Sequence, residues 1–181
     1  MVNKPAAGWL IMAAWLLFVG GGFWWFEYRY WHRFTAQNVV FNGEVLRQLQ
    51  QRLPVSLKTT VVHFNDYACP CSRYSAPHIQ RLQEVFKDTR QMVLSPGHGL
   101  MQGLNIPATP SVAVWDEKGR LAYFGPYSSG AVCGSGQDFV SRVLHSLAEA
   151  KNPMWVNTLA VGCYCPWVSL GGGHARQKAG A

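Results

Sequence analysis

The chain has 181 residues, a formal charge of +7 from 16 Lys and Arg against 9 Asp and Glu, and five cysteines. That length leaves room for one domain of ordinary size beside any membrane segment, so one core has to carry the fold. The cations are scattered, with no run of five or more and no stripe of alternating basic and aromatic residues, which argues against a nucleic-acid groove.

Residues 5–26 contain no charged side chain. As a helix rising about 1.5 Å per residue they span roughly 33 Å, enough to cross a hydrocarbon core. Trp9 near one end, and Trp24, Trp25, Tyr28, Tyr30 and Trp31 near the other, form interfacial aromatic belts. The run is longer than a signal-peptide core and no A-x-A site follows it, so an uncleaved anchor in the bilayer is expected. Lys4 on one side, and Arg29 and Arg33 offset by Glu27 on the other, do not fix its orientation. Cysteine usage does more, because four of the five lie in Cys-x-Cys pairs, which suits an oxidising compartment or a metal. The expected location is the inner (cytoplasmic) membrane, single-pass, with the soluble part periplasmic or extracytoplasmic.

Beyond the anchor, residues 43–53 carry Val45, Leu46, Leu49 and Leu53 at helical spacing before Pro54. Residues 59–64 (TTVVHF) form a β-branched run suited to a buried strand. Asn65, Asp66 and a cysteine-bearing turn follow, then a helix that Ser72 is placed to cap, with Ile79, Leu82, Val85 and Phe86 as its apolar face. Residues 91–94 read as a second strand, broken by Ser95, Pro96 and Gly97, and a short helical or irregular piece leads to Ile106. SVAVW, the turn DEKG and LAYF then make a hairpin, and residues 137–150 a helix with Phe139, Val140, Val143, Leu144 and Leu147 inward. Strand alternating with helix, then a hairpin and a closing helix, predicts an α/β fold: a mixed sheet with helices on both faces. The expected division is an anchor over residues 1–33, a domain with a cysteine-containing extension over 34–168, and a disordered tail over 169–181.

The chemistry centres on Cys69-Pro70-Cys71-Ser72 at the strand-to-helix junction. A thiolate there meets unpaired amide N–H groups and the positive end of the helix dipole, which lowers its pKa and activates it. Over roughly residues 55–150 the chain resembles the thioredoxin superfamily, because several features fall in register at once. Ala76-Pro77 stands where that family keeps an Ala-Pro in the helix after its attacking cysteine, so Cys69 matches the attacking cysteine and Ser72 stands in place of the second. Cys71 is a departure. The family's buried acidic proton acceptor, six positions earlier, is replaced by His63, which reads either as that acceptor or as a satisfied core residue. Thr109-Pro110, directly before SVAVW, fits the family's substrate-presenting cis-proline, with Pro107 as the fallback. Gly125 matches a glycine near the active site and precedes an insertion carrying Cys133. The overall pattern, an anchor followed by CPC, YFGPYSSGAVCGSG and GCYCPW, looks like a family of membrane-bound thioredoxin-like proteins without assigned function.

The first expectation is thiol–disulfide exchange, the activity that the resemblance implies, with protein or small thiol substrates and no cofactor: Cys69 attacks, Cys71 or Cys133 resolves, and Cys163 and Cys165 are additional redox candidates. A thiolate module is the second expectation, with Cys69, Cys71, Cys133, Cys163 and Cys165, joined by His63 or His98, holding Cu(I) or Zn(II). A third is a non-catalytic scaffold with structural bridges such as Cys69 or Cys71 to Cys165. The peroxiredoxin pattern, a nucleophile elbow and a phosphate-binding Gly loop are all missing.

Overall fold

The computed structural model of the protein describes residues 4–26, 31–34, 41, 43–129 and 137–167. Helix α1 (Lys4–Phe26) contains the apolar stretch Gly8–Phe26, long and apolar enough to cross a membrane and with none of it buried against the rest of the protein. A short strand β1 (Trp31–Arg33) follows. The domain then runs α2 (Glu44–Arg52), β2 (Thr60–Phe64), α3 (Ser72–Val85), β3 (Arg90–Leu94), a short 3-10 turn, β4 (Ala108–Thr109), β5 (Ser111–Trp115), β6 (Leu121–Gly125), α4 (Phe139–Ala148), β7 (Trp155–Val156), β8 (Val161–Cys163) and β9 (Cys165–Pro166).

The main sheet has the order β3-β2-β5-β6-β7. β2 is an inner strand, parallel to β3 and antiparallel to β5, and all five of its residues are buried. A strand covered on both faces needs apolar residues without alternation, which is why TVVHF reads as a continuous run. Its side chains still point alternately to the two faces. Val62 and Phe64 join one cluster with Leu46 and Leu49 of α2, Trp115 and Phe124. Val61 joins the other, with Ile79 and Leu82 of α3 and Val140, Val143 and Leu144 of α4. The result is the expected α/β class: a five-stranded mixed sheet with helices on both faces and thioredoxin-like connectivity, βαβ followed by a hairpin and a helix.

Several local expectations are corrected. The residue before the first turn of α3 is Cys71, not Ser72, and it makes no side-chain capping bond. Ser72 is inside the helix, and its hydroxyl donates to the Asp66 carbonyl. Val85 of the expected apolar face is 62% exposed, because the helix ends there and turns that side to solvent. The closing helix is shorter than its periodicity suggests and is capped by Asp138, whose carboxylate accepts the Ser141 N–H at 3.0 Å. The short strands β1, β4, β7, β8 and β9 were outside the predicted set. They exist only as pairings: β6 with β7, β1 with β8, and β4 with β9. The expected tail over 169–181 lies outside the described residues.

Candidate redox site

Backbone bonds shape the cysteine turn before any cysteine chemistry enters. The Asp66 side chain accepts the Ala68 N–H at 2.9 Å and its carbonyl accepts the Cys69 N–H at 3.0 Å, while Cys69 O accepts the Ser72 N–H at 3.0 Å. These short loops wind the chain into the start of α3. Thr109 latches the turn to the opposite strand, since its hydroxyl donates to Phe64 O at 3.1 Å and accepts the Asp66 N–H at 3.1 Å. The Thr109–Pro110 peptide is cis, the residue pair the sequence singles out. Cys69 Sγ lies 3.9 Å from Thr109 O, so the cysteine and the threonine before the cis-proline face each other.

The cysteines pair across the domain rather than within the turn. Cys69 is bridged to Cys165 with an S–S distance of 2.04 Å, and Cys71 to Cys163 with 2.00 Å. The segment after α4 therefore folds back over the helix start, and the two Cys-x-Cys pairs are bonded one to the other. Cys69 and Cys71 are 4% and 1% exposed, whereas Cys163 and Cys165 are half-buried. The Sγ atoms of Cys69, Cys71 and Cys165 all lie within 4.8 Å of one another, and as thiolates they are the residues here of the donor type that a soft cation takes. Cys133 lies outside the described residues.

Two aromatics seat the returning segment. Tyr164 packs edge-on to Phe34 with centroids 5.4 Å apart, and Trp167 edge-on to Phe64 at 5.9 Å. Both belong to the cluster on the α2 side of the sheet. The sequence singled out the cysteines of GCYCPW and passed over Tyr164 and Trp167; aromatics interleaved with Cys-x-Cys were the signal for a segment that packs on the core.

His63 points to the other side, toward α3 and α4, and is fully buried. The Gln91 amide nitrogen donates to Leu82 O at 3.0 Å and to Thr89 Oγ1 at 2.9 Å, so its oxygen faces His63 Nε2, at 3.1 Å. Nε2 therefore carries the proton and donates, leaving Nδ1 to accept from the Tyr127 hydroxyl at 2.9 Å. Burial pushes the imidazole down to about 4, against the Gln91 bond and with a small push from His78. His63 is thus neutral at physiological pH, and the titration near neutrality expected of it is displaced by desolvation. Tyr127, which carries no local sequence signal of this role, also meets His78 edge-on at 5.6 Å, and His78 Nε2 lies 3.4 Å from the Asp138 carboxylate.

Gly125 pairs with Val112, next to Ser111 and the cis-proline, but its own surroundings are structural. A Cβ on it would stand 2.7 Å from Asn157 O and 2.9 Å from the Tyr123 hydroxyl, at φ +153°. The absence of a side chain lets the chain after β7 close on the sheet edge, where Asn157 N–H donates to Phe124 O at 2.8 Å.

The family model described as "Domain of unknown function (DUF6436)" matches residues 37–167. No curated protein matches the sequence. Among solved structures, an uncharacterized conserved protein from Geobacillus kaustophilus is 14% identical, over 76% of this chain and 86% of that one, with a TM-score of 0.49. Oxidised thioredoxin O1 from Arabidopsis thaliana is 19% identical, over 63% of this chain and 95% of that one, with a TM-score of 0.39.

Proposed function

The chain belongs to the DUF6436 family, and from its site we propose that it is a membrane-anchored thiol–disulfide oxidoreductase acting through Cys69. One observation carries this reading: Cys69, at the start of α3, is engaged in a disulfide while facing the carbonyl of Thr109 immediately before cis-Pro110. Once reduced, Cys69 presents a sulfur beside the first turn of a helix, where N–H groups favour the thiolate. A second thiol of the protein then resolves the mixed disulfide, Cys71 and Cys133 being the candidates that the sequence offers. His63 enters as a neutral imidazole whose one basic nitrogen is already engaged by Tyr127, so proton uptake there displaces that bond. α1 anchors the domain in the inner membrane, and two cross-domain bridges suit a periplasmic or extracytoplasmic face.

A second reading rests on the sulfur cluster: with Cys69, Cys71 and Cys165 within 4.8 Å, the reduced protein is a soft-metal thiolate module. Alkylation mass spectrometry after equilibration in a series of thiol redox buffers, with metal content measured on the same sample, separates the readings. Reversible titration of Cys69 with fastest alkylation near neutral pH supports the oxidoreductase. Reduced thiols with a stoichiometric metal support the module, and bridges that resist strong reductants leave only a disulfide-stapled scaffold.

A further inference from the structure

The strand that carries Cys165 occupies a particular place. β9 pairs antiparallel with β4 so that Cys165 stands opposite Thr109, the residue before cis-Pro110, and Cys165 is at the same time bonded to Cys69. An exposed strand edge beside a reactive cysteine accepts an extended cysteine-bearing chain by main-chain pairing. Here that edge is already taken by the protein's own residues. The segment is held by more than its sulfurs, because Tyr164 and Trp167, one residue before and two after Cys165, are 6% and 7% exposed. Lifting it bares two aromatic side chains of roughly 150–250 Å² each, so reduction of the bridges leaves it seated. The Cys165 sulfur then stays beside Cys69 at a high effective concentration.

We propose that Cys165 is the resolving thiol of Cys69, and that residues 163–167 are a resident strand that closes the groove to extended polypeptides, so that the site acts on compact, low-molecular-weight disulfides. This rests on the oxidoreductase reading above. In the reduced protein the half-buried Cys165 side chain turns aside, its strand still paired with β4, and opens Cys69, 4% exposed while bridged, to a small molecule; the Cys69 thiolate attacks one sulfur of an external disulfide, a bond forms between Cys69 and that sulfur, the external S–S bond breaks and one thiolate leaves. The Cys165 thiolate attacks the Cys69 sulfur, forms the Cys69–Cys165 bond and expels the second thiolate. The two protons given up by the protein thiols end on the two leaving thiolates. One external disulfide is reduced and one protein dithiol oxidised, and a dithiol reductant restores the starting state.

The test uses the full chain in detergent micelles, reduced and then pulsed with oxidised glutathione, with the glutathione adduct on Cys69 followed by mass spectrometry. Cys165→Ser and Cys165→Ala are expected to hold the adduct at least tenfold longer than the wild type, and longer than Cys133→Ser or the pair Cys71→Ser/Cys163→Ser. In the Cys165 variants the Cys71–Cys163 bridge still staples the segment before reduction, and near-ultraviolet circular dichroism checks that it stays seated. A linear peptide with a mid-chain cysteine, offered as a mixed disulfide, is expected to react at least tenfold faster with Trp167→Ala than with the wild type. Clearance at the wild-type rate in both Cys165 variants, or a longer-lived adduct without Cys133 or Cys71, overturns the assignment of Cys165. Equal peptide rates overturn the closed groove. If no variant and no wild-type protein forms an adduct on Cys69, the oxidoreductase reading itself falls.

Discussion

His63, which the sequence leaves open between a proton acceptor and a satisfied core residue, is a buried neutral imidazole that makes stability depend on pH. Its folded pKa is lowered to about 4 from the ordinary 6.5, so between these values the unfolded chain binds a proton that the folded protein refuses. Stability is therefore full above about pH 6.5 and falls as the pH drops toward 4, by roughly 2 kcal/mol at pH 5. Asp138 acts in a lower window: burial opposes its ionisation, but bonds from His78 and Ser141 outweigh that and hold it at about 2, so its contribution disappears only below pH 4. Urea midpoints at pH 7 and pH 5 are expected to differ in the wild type and to converge in His63→Gln. An unchanged difference in that variant places the proton elsewhere. Gly125 is a second residue-scale case. Gly125→Ala forces a Cβ to within 2.7 Å of a backbone oxygen at a φ of +153°, and thermal melting is expected to show a loss of more than about 1 kcal/mol.

At the scale of the element, α2, β2, α3, β3, the hairpin and α4 were all legible, because each carries its own period or turn signal. TVVHF is bounded by polar residues, SVAVW and LAYF flank a tight turn, and Leu46 and Leu49 repeat at helical spacing. The ends were less legible. Asp138 caps α4 through Ser141, both as acceptor of its N–H and as partner of its hydroxyl at 2.6 Å. Asp138→Ala is expected to cost about 1 kcal/mol by denaturant titration, with Asp138→Asn recovering most of it. Recovery by Asn would show that the cap, rather than the charge facing His78, is the larger part. The two-residue strands had no such signature, since β4 and β9 are strands only because Thr109 and Cys165 meet.

Over the whole molecule the two bridges act as one device. Cys69–Cys165 closes a loop with a sequence separation of 96, and Cys71–Cys163 one of 92. Either alone removes about 4–5 kcal/mol of unfolded-chain entropy in the loop-closure model. Once one is closed, however, the other completes only a small ring through the two Cys-x-Cys turns, worth about 2 kcal/mol in the same model. Removing either bridge as a Ser pair is therefore expected to cost much less than removing the second afterwards. Melting of the two double variants and the quadruple variant reads this directly, and equal, additive losses would count against it.

The amino-acid order by itself determined the apolar helix, the four longer strands and the helices of the sheet, the place of Cys69 just before α3 and the proline facing it, since these depend on local periodicity and on register along one stretch of chain. It left open which sulfurs meet. Cys69 and Cys165 are 96 positions apart, and sequence spacing says nothing about a contact made by a segment returning from the far end of the domain. Only the tertiary structure decided that pairing, because the burial of Tyr164 and Trp167 and the pairing of Cys165 with Thr109 bring CYC onto CPC. The same holds for His63, whose neutrality follows from Tyr127 and Gln91, neighbours that only the packed core supplies.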